Sequence, residues 1–171
     1  MSSSPSPPDV NQIADGPDVN CATPPEQVDG GHAIWIENAV GNASPRLPIN
    51  EYIFPDDIYT NPGKFVSIFE RFDKLCFVGH THVPGVFLEG PDFFSPDELN
   101  GKYEITDERA IVNVGSVGQP RDRDLRSSFV LLSDTHVEFV RVMYDVDATV
   151  KKVEAIPELD DFLGTRLLDG R

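Results

Sequence analysis

Hydrophobic and polar positions change period several times along this chain. From Pro62 onward, Phe65, Ile68, Phe69, Phe72 and Leu75 recur every three or four residues, which predicts a helix with one buried face. Asn61 offers an N-cap to that helix and Pro62 suits its first turn. The period then collapses: "LCFVG" (Leu75 to Gly79) is an unbroken apolar run, the pattern of a central strand buried on both faces. "VPGVFLEG" (Val83 to Gly90) predicts another strand after a proline start. Beyond the polar loop "PDFFSPDELNGK", strands are predicted at "YEI", "AIVNVG", "SSFVLLS" and "HVEFVRVMY", with turns at Gly101, Gly118 and "SDT". The end of the chain returns to helical composition, with Asp147 as a cap, Pro157 as a break, and Phe162, Leu163, Leu167 and Leu168 as the apolar face of a second helix.

The other end lacks such patterning. Residues 1–30 combine Pro, Ser, Asp and Gly with almost no large apolar side chains, so burial cannot offset the entropy of ordering them; a disordered arm is expected. Order is expected to begin with a strand at "AIWIENAV" (Ala33 to Val40), which holds the only Trp, Trp35, and is followed by the turn residues Gly41 and Asn42. From Asn42 to Pro62 four prolines and little periodicity predict a long surface loop with aromatic anchors at Tyr52, Phe54 and Tyr59.

At 171 residues, 39% of them hydrophobic, the chain can form one domain with a tail. Its 29 acidic against 14 basic residues give a formal charge of −15, which argues against nucleic acid or an anionic membrane as the main partner. Two cysteines, Cys21 and Cys76, are too few for a disulfide framework, and no apolar stretch has the length of a signal-peptide core or a membrane span. A cytoplasmic location is the expectation.

Two of the four histidines, His80 and His82, stand one residue apart where an apolar run ends. On an extended segment side chains at i and i+2 point the same way, so both imidazoles could enter one cleft and hold a metal, with Gly79 allowing a tight turn before them. A pair of surface histidines in a turn satisfies the spacing equally well. "NVGSVGQPRD" (Asn113 to Asp122) packs Gly115, Ser116 and Gly118 into a loop before Arg121 and Asp122, a texture that suits backbone amides and a guanidinium around an oxyanion. A glycine-rich turn with an exposed salt bridge is the simpler reading of that stretch by itself. Cys76 fits a core thiol and His136 a surface residue; turn formation accounts for Asp56 and Asp57. "DGGHA" around His32 lacks Asp-x-His spacing and is set aside.

Taken together, "SPRLPINEYIFPDDIY", "GHTHVPGVF" and "NVGSVGQPRD" resemble the C-terminal half of the calcineurin-like metallophosphoesterases, and within them the bacterial diadenosine tetraphosphatase and related serine/threonine phosphatase-like proteins. The resemblance runs from about Ile34 to Arg171. It implies an α/β fold, a partial sandwich of two mixed sheets flanked by helices, and a cleft where strand ends meet. It also implies two divalent ions of the Mn, Fe or Zn kind, one ligated by His80 and the other by His82, which would supply a hydroxide to attack phosphorus and neutralise the phosphoryl oxygens in an in-line displacement. Gly79, Gly115, Ser116 and Arg121 would line that cleft, and the substrate would be a phosphorylated small molecule or a phosphoprotein.

The departures from the family are equally specific. Its earlier motifs, GDxH, GDxxD and GNH followed by an acid, do not occur in this sequence. These provide the bridging aspartate, so the first half of the fold is expected to be missing and the site catalytically incomplete. Where the family has His-Gly before Ser-Pro-Arg, this chain has Asn42-Ala43, and an asparagine oxygen is a weaker ligand than imidazole for borderline cations. A non-catalytic binding or regulatory module derived from a phosphoesterase is the alternative expectation, as is a gene fragment. Strand edges left uncovered would favour self-association.

Overall fold

A computed structural model describes residues 38–171. The expected arm, residues 1–30, and the first part of the expected strand, including Trp35, lie outside the described residues. Two sheets and a set of helices form three layers. The first sheet has five strands in the order β1-β2-β6-β3-β4, and the second has three in the order β5-β8-β7. Their ranges are β1 Asn38–Val40, β2 Leu75–Val78, β3 Gly85–Leu88, β4 Asp92–Phe94, β5 Lys102–Glu104, β6 Ala110–Asn113, β7 Ser127–Leu132 and β8 His136–Val142. β1, β2 and β6 run parallel, whereas β3 and β4 join antiparallel at the far side.

The strand alternation sorts apolar residues between two cores. Cys76, Val78, Phe87 and Ile111 face the helical layer and pack with Ile53, Ile58, Phe65, Ile68, Phe69 and Phe72. Leu75, Phe77, Val86, Ala110 and Val112 face the second sheet, where Tyr103, Val137 and Phe139 meet them. β2 and β6 are buried at every position because both faces are covered, which the unbroken apolar run Leu75–Gly79 predicted for β2.

The helical layer consists of α1 (Asp57–Thr60) and α2 (Pro62–Phe69). α2 starts at Pro62 as expected, but the Asn61 side chain makes no capping bond. It also ends before Phe72 and Leu75, which are buried through a turn and through β2 and not as part of the helical face. Arg109 donates to the Phe69 carbonyl at 2.5 Å, satisfying one of the acceptors that a helix end leaves open. The 42–62 segment holds α1 inside the expected loop, and its anchors are Ile53 and Ile58; Tyr52, Phe54 and Tyr59 are exposed. β4 occupies what the sequence presents as a polar loop, because Phe93 inserts against Phe87.

At the end of the chain α3 (Val146–Glu154) is capped by Asp145, whose carboxylate accepts the Ala148 N–H at 2.9 Å; Asp147 lies inside the first turn instead. α4 (Phe162–Thr165) and a 3-10 turn (Arg166–Asp169) follow. Of the predicted apolar face only Leu167 is buried, while Phe162, Leu163 and Leu168 are exposed. Among the described residues no helix is long and apolar enough to cross a membrane.

Candidate functional site

The carboxyl ends of three parallel strands meet along one edge of the sheet, the position at which open α/β sheets form clefts. β1 runs into Gly41-Asn42, β2 into Gly79–His82, and β6 into the 114–122 loop. Backbone bonds lace these exits together: Gly41 N–H to the Phe77 carbonyl (2.9 Å), Gly79 N–H to the Asn42 carbonyl (3.0 Å) and Val114 N–H to the Val78 carbonyl (2.9 Å). Asn42, His80 and the glycine-rich loop, far apart in sequence, are therefore neighbours.

The histidine pair is not extended. His80 and His82 have φ of 58° and 62°, the left-handed region. Gly79 does not make the turn; His80 does, and Thr81 N–H closes it onto the Gly79 carbonyl at 2.7 Å. Left-handed backbone costs a residue with a side chain about 1–2 kcal/mol, so two such residues within three positions need support from their surroundings.

Asn113 supplies it. Its side chain is fully buried and donates to the Thr81 hydroxyl at 2.6 Å and to the Gly79 carbonyl at 3.0 Å, while its oxygen accepts Gly115 N–H at 3.0 Å. One amide thus pins both loops of the cleft. The sequence signal for it was a polar residue closing an otherwise apolar strand run, "AIVN".

The two imidazoles are held differently. His82 Nδ1 lies 2.8 Å from the Gln119 carbonyl, an acceptor only, so Nδ1 carries the proton and the neutral ring leaves Nε2 with a lone pair. Burial pushes the His82 imidazole below its ordinary range against the opposing effect of the Gln119 bond, and Arg121, His80 and Arg166 add to the depression. His80 is covered by the Tyr52 ring, with centroids 4.1 Å apart, and Asn42 Nδ2 approaches its Nδ1 at 3.3 Å. Its Nε2 is buried without a hydrogen-bond partner. The Asn42 amide donating to Nδ1 puts the ring proton on Nε2; turned by half a rotation, its oxygen would accept from Nδ1 and free the Nε2 lone pair. Asn42 is thus placed to set the His80 tautomer.

The 115–122 loop closes the cleft differently from the amide cradle its glycines suggested. Gly115 N–H is taken by Asn113, and the Ser116 hydroxyl accepts from Gln119 N–H at 2.9 Å and Gly118 N–H at 3.3 Å. Gly115 has φ of 78°, and a Cβ there would lie 2.5 Å from Ser128 Oγ, so glycine serves the packing of this loop on β7. Arg121 N–H reaches the His82 carbonyl at 3.2 Å, its NH2 group donates to Gln119 Oε1 at 2.9 Å, and its Nε is buried without a partner. Asp122 turns away to pair with Arg141.

Other candidates fall elsewhere. Cys76 is buried in the helix-facing core, His136 is bonded to the Ser133 hydroxyl at 2.8 Å, and Asp57 pairs with Lys64 at 2.7 Å. An apolar hollow of about 340 Å³ lined by Ile58, Phe65, Phe69 and Leu88 contains none of the residues discussed above as ligands.

The lone pair preset on His82 Nε2, and the buried His80 Nε2 once the Asn42 oxygen faces Nδ1, suit a borderline divalent cation. Among the described residues no group of three or more His, Cys, Asp or Glu converges. The pair therefore fits part of a metal centre and does not make a two-ion centre by itself.

Two sheets flanked by helices match part of the metallophosphoesterase fold. A metallophosphoesterase from Sphaerobacter thermophilus is similar at 35% identity and a TM-score of 0.68, over 85% of this chain and 57% of that one. The uncharacterized protein MJ0912 of Methanocaldococcus jannaschii is 36% identical over 134 residues, 76% of this chain and 50% of that protein. The hypothetical protein PH1004 from Pyrococcus horikoshii OT3 shares the fold at 18% identity and a TM-score of 0.55, over 78% of this chain and 46% of that one. No protein-family profile matches the chain. The similarities support a place in the calcineurin-like superfamily, and the chain spans about half the length of the relatives it matches.

Proposed function

We propose that this protein is a phosphoesterase of the metallophosphoesterase type, and that its described residues supply the strand-end ligands of a divalent-metal centre. The observation that carries this reading is the His82 ring, whose Nδ1 is committed to the Gln119 carbonyl so that Nε2 stays open. His80 would be the second ligand, oriented by Tyr52 and Asn42. A divalent ion held there supplies Lewis acidity and neutralises phosphoryl charge. The chain's own part is to present the two imidazoles, to keep them in a strained turn through Asn113, and to line the cleft with Gly79, Gly115, Ser116 and Arg121. Phosphomonoesters, phosphoproteins and dinucleoside polyphosphates are the substrate classes that the family resemblance brings.

Two-ion hydrolysis needs a bridging carboxylate, and none of the described acidic residues joins the histidines. That observation favours a second reading, a non-catalytic binding module. Titration calorimetry with Mn²⁺ and Zn²⁺ on metal-stripped protein tests the metal site: binding of one ion, lost in the His80→Ala, His82→Ala double variant, is expected. Turnover of p-nitrophenyl phosphate with added Mn²⁺ separates the two readings. Background turnover favours the module, and activity lost in the double variant the enzyme.

A further inference from the structure

The segment 119–124 belongs to no helix or strand, yet it carries the acceptor that fixes the His82 ring. Its shape therefore depends on tethers. Two of them run to the histidine turn: the Gln119 carbonyl accepts the His82 Nδ1–H at 2.8 Å, and Arg121 N–H donates to the His82 carbonyl at 3.2 Å. A third, Arg123 N–H to the Gly170 carbonyl at 3.0 Å, meets the end of the chain, and Arg123 itself is left-handed with φ of 68°. Backbone of that kind keeps its shape only where its surroundings hold it.

The alternate members, Asp122 and Asp124, reach Arg141 near the end of β8. Its guanidinium NH2 group pairs with Asp122 Oδ2, its Nε lies 3.7 Å from Asp124 Oδ2, and its NH1 group donates to the Arg126 carbonyl at 3.4 Å. Asp124 has a second cation in Arg126, at 2.6 Å. Asp122 has no such reserve: its Oδ1 is buried without a hydrogen-bond partner, and the Asp122 and Arg141 side chains are only 17% and 13% exposed. Removing one partner of an enclosed ion pair strands the other charge, which costs far more than breaking an exposed pair. Without the Arg141 guanidinium the Asp122 carboxylate has to turn out to water, and the backbone that carries the Gln119 carbonyl, three residues earlier, moves with it.

We propose that Arg141 is a positioning residue for the candidate metal site: by holding Asp122 from a strand of the second sheet, it keeps the Gln119 carbonyl on His82 Nδ1 and the lone pair on Nε2. This rests on the reading of His82 as a metal ligand. Arg141 itself would touch neither metal nor substrate, and acts through Asp122 and the backbone of 119–122 on the tautomer of a ring that follows a strand of the first sheet.

The test reads the His82 ring in metal-free protein by its imidazole nitrogen NMR shifts, at about pH 8, above the ordinary histidine range. The His82→Gln variant assigns the signals. The wild-type chain is expected to show the Nδ1–H tautomer and Arg141→Gln a mixture of the two, with Zn²⁺ affinity by calorimetry lowered about tenfold. Asp122→Asn removes the same pair from the other side and should reproduce both changes, which keeps the test open should Arg141→Gln fail to fold. The double variant should lose no more than about twofold beyond either single one. Arg141→Lys is expected to recover most of the tautomer and the affinity, because a single bond to Asp122 needs a cation and not the guanidinium fork. Arg109→Gln breaks the ion pair with Glu89 at the opposite end of β6, so it controls for general destabilisation and should match the wild type in both readouts. Wild-type tautomer and affinity in Arg141→Gln and Asp122→Asn, or equal losses in Arg109→Gln, overturn the positioning role. The two failures are distinguishable: Zn²⁺ binding with an unchanged tautomer in the variants removes the positioning role alone, whereas a tautomer change in a chain whose wild type binds no Zn²⁺ keeps it and removes the metal reading. A wild-type Nε2–H tautomer removes both.

Discussion

The side-chain amide of Asn113 donates to the Thr81 hydroxyl at 2.6 Å, and both residues are buried at the point where β2 and β6 leave the sheet. This bond joins the histidine turn to the glycine-rich loop, so the geometry of the site depends on a residue that would touch neither metal nor substrate.

Replacing Asn113 with Ala leaves the Thr81 hydroxyl, the Gly79 carbonyl and the Gly115 N–H short of a partner. A loss of about 2–4 kcal/mol in urea unfolding is expected from orphaning several buried polar groups. Thr81→Val, which removes one partner, should cost about 1–2 kcal/mol. A cost under about 0.5 kcal/mol for Asn113→Ala would mean that the two loops are held by other contacts.

Gly115 and Gly118 lie in the same loop but meet different surroundings. Ala at 115 adopts φ of 78° and meets Ser128, so Gly115→Ala should destabilise by about 2 kcal/mol or more. Gly118 has nothing within 4 Å of a Cβ, and Gly118→Ala should stay within about 0.5 kcal/mol of wild type. Thermal melts of the two single variants decide this.

Tyr52 covers the His80 ring from an exposed position, and Asn42 meets His80 Nδ1. Both residues orient a ligand and add little to the core. Asn42→Ala and Tyr52→Ala are each expected to lower Mn²⁺ affinity about tenfold, with melting temperatures nearly unchanged. Tyr52→Phe, which keeps the ring, should bind Mn²⁺ as wild type does. Calorimetric titration provides the measurement, and unchanged affinity in both alanine variants would separate these residues from the metal site.

Glu51 ties down the segment that carries Asn42. Burial alone would raise its carboxyl, but Arg46 and the Ser44 hydroxyl outweigh that and hold it below the ordinary carboxylate range. A folded-state value below the unfolded one means that the unfolded chain binds more protons in acid. The stabilisation is whole above the ordinary value of about 4.3 and is lost as pH falls through the lower folded value. Glu51→Gln should therefore reduce stability at pH 7 by about 1–3 kcal/mol, and the gap from wild type should narrow as pH is lowered through this window. Urea unfolding at stepped pH checks the slope, and a gap that does not change with pH would rule out the linkage.

Much of the architecture was legible because it follows from local patterning. The unbroken run Leu75–Val78 marked a strand covered on both sides, and the spacing of Phe65, Ile68 and Phe69 marked a helix with one buried face. The helix end was misplaced, since Phe72 and Leu75 keep helical spacing after the chain has turned and are buried for another reason. The misjudged anchors share a cause. Tyr52, Phe54 and Tyr59 are as apolar in sequence as Ile53 and Ile58, but only the helical layer's position over the sheet decides which side chains it covers.

At the site the division is sharper. The sequence by itself determined that His80 and His82 would stand at a strand end, because an apolar run that stops at a Gly-His pair places those side chains where the sheet gives way to a loop. It could not determine their orientation, and alternation along an extended segment was the wrong geometry. Both residues are left-handed, a conformation unfavourable locally and held by an asparagine more than thirty positions away. Only the tertiary structure decided that Asn42 would meet His80, that the Gln119 carbonyl would accept the His82 Nδ1–H, and that the Gly170 carbonyl would accept the Arg123 N–H. Each of these relationships joins separate strand exits or the two ends of the fold. Hydrophobic periodicity reports which face of a segment is buried, whereas such contacts depend on strand order and register, which are settled only when the layers pack.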